Sequence, residues 1–125
     1  MAAPAASETD ERGTLVRYEQ PPRVDRDGLN AALSAGDVGR IVTALVGVVV
    51  HDPDPHWVRS ICLDLLDHPS GDIRRCAAIG LGHLVRMHRG LDTDDIVTRL
   101  RAVVDDPEAG NAARDSLLEI HRSLP

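Results

Sequence analysis

The chain has 125 residues, enough for one hydrophobic core and too few for two comfortable ones, and its 42% apolar content can fill that core. Twenty acids outnumber fourteen cations for a net charge of −6, and residues 26–125 alone hold fifteen acids and eleven arginines. An acidic domain without a basic stripe grips phosphate backbones poorly, which argues against nucleic acid as the partner and favours a basic protein, whose approach such a field accelerates.

Residues 1–25 are rich in Ala, Pro, Ser and charge, with Leu15, Val16 and Tyr18 as their only apolar cluster. This segment reads as a disordered or loosely docked N-terminal tail, followed by one domain over 26–125. Its first residues lack the basic start and apolar run of a secretion signal, and the longest apolar stretch, Ile41 to Val50, is about half a membrane span, so a cytoplasmic protein away from membranes is expected.

From Asp27 onward the sequence is punctuated by Gly36-Asp37, His51 to Pro55, His68 to Asp72, Arg89 to Asp92 and Asp105 to Pro107. Pro lacks the amide that a helix interior needs, and Asp and Ser cap the free amides of a helix start. Helices are therefore predicted near 27–35, 37–51, 55–67, 71–89, 94–105 and 109–123. The second is β-branched from Ile41 to Val50 and fits a buried strand by propensity, but Val38, Ile41, Val42, Leu45, Val48 and Val49 share a helix face and no second strand exists to pair with it. The third and fourth each carry one apolar face at spacings of three and four, Val58 to Leu66 and Ile73 to Leu84. Leu65-Leu66-Asp67-His68-Pro69 superimposes on Val103-Val104-Asp105-Asp106-Pro107 at a shift of 38 residues. The fold class that follows is all-α, a short helical repeat solenoid of about three antiparallel helix pairs, 27–51, 55–89 and 94–123.

The segment His68-Pro69-Ser70-Gly71-Asp72-Ile73-Arg74-Arg75-Cys76-Ala77-Ala78-Ile79-Gly80-Leu81-Gly82 resembles a HEAT repeat, in which a Pro turn leads into a helix reading aliphatic, Arg, small residues and Leu-Gly. In that family a turn Asp and a helix Arg bond between neighbouring repeats. Arg74 matches the Arg, His68 stands in the acid's place with Asp67 beside it as a substitute, and Ala112 replaces the Arg in the last repeat. Leu81 to His88 and Asp106 to Ile120 extend the resemblance to small bacterial HEAT-repeat proteins associated with polymorphic or contact-dependent toxins. The resemblance implies an immunity protein that binds and blocks a cognate toxin, with a scaffold or adaptor in a larger complex as the alternative.

Chemistry-bearing motifs are scarce. His83 and His88 are five apart, about 140° around a helix, and cannot chelate together, while His51 and His56 flank Asp52 and Asp54 in a turn of the ordinary linking kind. Cys62 and Cys76 sit inside apolar helical patterns and read as free thiols, no Gly-x-Ser-x-Gly elbow occurs, and of the acid pairs Asp94-Asp95 begins a helix and Asp105-Asp106 sits at the next turn. No catalytic residue, cofactor or metal is predicted, and the expectation is a non-enzymatic binder. Its candidate surface is the stripe Arg75, Ile79, His83 and Arg86 on the fourth helix, joined by Asp115 and Glu119 on the sixth, with Trp57 at the start of the third as a further anchor. Apolar ends of so short a stack leave a monomer or an end-to-end homodimer open.

Overall fold

Free amides at a helix start need acceptors, and aspartate side chains supply them at or just before five of the six starts. The computed structural model describes residues 25–123 and contains six helices: α1 (Arg26–Ala35), α2 (Val38–His51), α3 (Pro55–Leu65), α4 (Gly71–Met87), α5 (Asp94–Arg101) and α6 (Gly110–Ser123). Except for Asp25, the tail expected over 1–25 lies outside the described residues. Asp25 accepts from the Gly28 amide, Asp37 from that of Arg40, and Asp54 from those of His56 and Trp57, with Pro55 opening α3 where no amide is needed. Gly36 closes α1 at φ 70°, a left-handed conformation that a Cβ would penalise.

The β-branched stretch in α2 is helical, as its facial pattern requires. Three helices end earlier than their sequence suggests, α3 by two residues at Leu65. α4 stops at Met87, which lets the chain turn Leu91 into the core, and α5 stops at Arg101, after which 102–105 form a turn. At the end of α5 the start of α6 crosses this turn closely, since a Cβ on Gly110 would stand 2.5 Å from the Val104 carbonyl oxygen.

Consecutive helices pack as α1/α2, α3/α4 and α5/α6, three pairs joined by short turns. The second members form an inner layer in which α4 touches both α2 and α6, whereas α3 and α5 touch only lightly in the outer layer. Small residues cause this difference. A Cβ on Gly82 would lie 2.5 Å from Ser116 Oγ and 3.1 Å from Ser116 Cα, and one on Gly80 would lie 3.1 Å from Val49 Cγ2. Ser116, itself buried, donates its hydroxyl to the Ala78 carbonyl at 2.7 Å. The stack therefore closes up on the α2/α4/α6 side. One core of Leu, Ile, Val and Ala runs between the layers, including Leu29, Leu45, Leu66, Ile73, Leu81, Ile96, Leu100 and Ile120, each buried and each worth about 1.5–3 kcal/mol on transfer from water.

Arginines tie the pairs together at the turns. Arg74 places Nε and Nη2 on the two oxygens of Asp106, at 3.0 and 3.4 Å, and gives Nη1 to the carbonyls of His68 and Pro69. Asp67, the substitute acid suggested by sequence, is not its partner: Asp67 receives Arg99 at 2.7 Å, which also reaches the Leu63 carbonyl at the end of α3. Stacking lets Arg74 join the acid of the next pair's turn to the carbonyls of its own. His68 has another task, accepting the Ser70 amide on Nδ1. Asp52, Asp92 and Asp106 accept the amide two residues on in the same way. At the first pair, Arg26 forks onto Asp52, reaches Asp54, and lies 4.4 Å above the Trp57 ring.

Candidate functional site

The spacing of four, four and three along α4 lines up Arg75, Ile79, His83 and Arg86, and the close α4–α6 approach sets them opposite Asp115 and Glu119. All six border one groove of about 480 Å³, floored by Gly82, Ala112 and Ser116. The small floor residues that draw the helices together are thus also what leaves room between their side chains.

A second groove of about 650 Å³ runs along the other flank of α4, between it and α2. Its walls are mainly apolar, with Val38, Val42, Val46 and Val49 from α2 facing Cys76 and Gly80, and it shares Arg75, Ile79 and His83 with the first. Sequence reasoning passed over this groove because the α2 valines read as core. Val46 is in fact 38% exposed, and Ile79, on the ridge between the two grooves, is 54% exposed. A helix that is apolar over most of its circumference buries one side and has to show the other, which is the signal that α2 carried.

Charges on the ridge are held in a definite arrangement. Arg75 pairs with Asp72 one turn back at 2.9 Å, and Arg86 donates to His83 Nδ1 at 2.8 Å. Burial, and then the neighbouring Arg86 and His88, keep the His83 imidazole below its ordinary titration range and so favour the neutral ring that accepts this bond. The carboxylates of Asp115 and Glu119 have no hydrogen-bond or ion-pair partner among the described residues.

Trp57 stands apart from these six. Its ring packs against the core beneath Arg26, near the turn between α2 and α3, in neither groove. Asp52 and Asp54, considered above as neighbours of a turn histidine pair, are engaged by Arg26, whose hydrogen bond holds the Asp52 carboxyl below the usual carboxylate range. Among the described residues no three His, Cys, Asp or Glu side chains converge to hold a metal ion. Both thiols are free and poorly ionised: burial, with Cys76 nearby, pushes Cys62 up to about 12, and burial raises Cys76 despite Arg75. No helix among the described residues is long and apolar enough to cross a membrane.

These features define an all-helical stack of three helix pairs with a two-groove inner face. The sequence matches no family model and no curated protein. Among solved structures, the chain is similar to one in the crystal structure of a CDI complex from Cupriavidus taiwanensis LMG 19424, with a TM-score of 0.75 and 22% identity, over 86% of this chain and 96% of that one. At that identity the likeness is one of fold.

Proposed function

We propose that this chain is a non-catalytic, HEAT-like protein-binding module that acts as an immunity protein, neutralising a cognate toxin by docking over it and occluding its active site. The observation that carries this reading is the likeness to a chain of a CDI complex, since CDI, contact-dependent inhibition, is the setting that the repeat and helix motifs suggest independently. The match takes in 96% of that chain, so the neighbour has almost nothing besides this fold with which to join its complex. The Arg74–Asp106 bridge between neighbouring pairs supports the HEAT-like part of the reading, being the Arg-to-turn-acid bond of such repeats. Arg75, Ile79, His83, Arg86, Asp115 and Glu119 would form the partner-binding face, and an excess of acid in the domain suits a basic toxin. Free thiols accord with a cytoplasmic site of action.

Co-expression with the product of the gene immediately upstream of this chain's own tests the proposal. Rescue of growth together with a one-to-one complex in light-scattering chromatography is expected, and the isolated chain run alone reads whether it is a monomer or an end-to-end dimer. Absence of both rescue and complex overturns the immunity reading. A stable complex with some other protein, without rescue, would favour an adaptor instead.

A further inference from the structure

The inner face is built to receive two chemically different side chains at once. On α6, Asp115 and Glu119 are one turn apart, the first exposed and the second half-buried, and neither has a cation among the described residues. The two arginines across the groove do not fill that role, because Arg75 is held by Asp72 and Arg86 by His83. With His83 neutral, the groove's Arg75 and Arg86 balance Asp115 and Glu119 in number, but Asp72 at its edge already engages Arg75, so the unengaged charge on the α6 side is acidic. Beyond the Ile79 ridge the chemistry changes to an open aliphatic trough, bordered by the exposed apolar side chains of Val46 on α2 and Ile79 on α4. Water against such a trough is released only when an apolar group enters.

Resting on the reading of this chain as a toxin-binding protein, we propose that the inner face docks a surface element of the partner that places a Lys or Arg between Asp115 and Glu119. The same element lays an adjacent aliphatic or aromatic side chain over Ile79 into the α2/α4 trough. Charge complementarity selects a cation over an acid on the α6 side, and the exposed valine and isoleucine surface selects an apolar neighbour on the α2 side. The partner's recognition unit is thus a basic and an apolar residue together. Neither alone suffices, since a cation contributes little at an exposed acid pair and an isolated apolar contact carries no orientation.

Two measurements on the full chain decide this. In the first, affinity for the toxin domain that the co-expression identifies is measured for the wild type, Ile79→Glu, the double variant Asp115→Asn/Glu119→Gln, and Arg101→Gln on the exposed outer side of α5. Expected are losses of at least about tenfold for the first two, a flatter salt dependence for the double variant, and no change for Arg101→Gln. Because Ile79 is exposed, thermal unfolding should show that Ile79→Glu folds; Val46→Asn repeats the trough test should it not. Tight toxin binding that none of these variants weakens leaves the immunity reading intact and overturns this surface.

The second measurement does not depend on the toxin: amide chemical shifts are followed as hexylguanidinium, a probe joining one cation to one alkyl tail, is titrated in, with hexanoate as the opposite-charge control. Shifts confined to α2, α4 and α6 around Val46, Ile79, Asp115 and Glu119, larger than with hexanoate and abolished in the double variant, are expected. Should the toxin domain fail to bind at all, the immunity reading falls and this titration alone judges the face. Shifts elsewhere, or shifts undiminished in the double variant, would then overturn it.

Discussion

At the turns, Asp52, Asp54 and Asp106 each accept at least one backbone amide as well as an arginine, whereas Asp115 and Glu119 on α6 have neither among the described residues. The difference comes from position along a helix. An acid at a helix start meets amides that no carbonyl has claimed; an acid in mid-helix finds every nearby amide already bonded, and its remaining partner has to come from outside. Asp106 shows how far the first case goes: the Ala109 and Glu108 amides, and then Arg74, hold its carboxyl below the usual carboxylate range. The same residue type is thus spent on holding the stack together at its edge and left available on its face.

An available face requires α4 and α6 to stay rigidly together, and parting them has the largest effect expected. Gly82→Val pushes a side chain into the Ser116 backbone and should lower stability by about 3 kcal/mol in urea unfolding, the upper range of overpacking. A near-neutral result would mean that α4 and α6 slide freely and that the groove has no fixed shape. Next in size, Arg74→Ala strips the Asp106 fork and two turn carbonyls of their donor and should lower Tm by roughly 5–10 °C. Partner affinity should stay within about twofold, because the edge lies outside the grooves. Coupled loss of both would erase the distinction between edge and face.

The reverse pattern is expected of Asp115→Asn/Glu119→Gln, whose stability should match wild type within about 0.5 kcal/mol in the same unfolding assay. Smallest is the pH effect of His83. Its folded titration point is depressed from 6.5, so the stability it contributes is present above that value and is lost as pH falls through the lower folded one. Between about pH 7 and pH 5, Tm of the wild type should therefore fall slightly more than that of His83→Gln. Asp52 and Asp106 do not interfere in this window, since both are depressed further below 3.8. Identical slopes would mean that the ring is as well accommodated charged as neutral.

Much of the fold was legible because its stops and starts are local chemistry. Pro55, Asp25, Asp37 and Asp54 act within a few residues of themselves, and the helices they open begin within a residue of the expected points. The α4 and α6 candidates also came together in one groove, since helical spacing fixes a face and the small residues of both helices hint at their contact. What escaped depends on partners far along the chain. Arg74 meets an acid 32 residues on, Arg99 one 32 residues back, and Trp57 is covered by Arg26 from the first helix. Each is set by the stacking register of the pairs, which no local pattern encodes.

Cys76 gives the α2/α4 trough a built-in chemical reporter. Its half-buried thiol lies in the trough wall, while Cys62 is fully buried. A small maleimide should therefore label one sulfur slowly and leave the other untouched, so that mass spectrometry of the intact chain counts a single adduct. Anything seated in the trough should shield that sulfur, and the labelling rate becomes a clock for occupancy that needs no introduced tag.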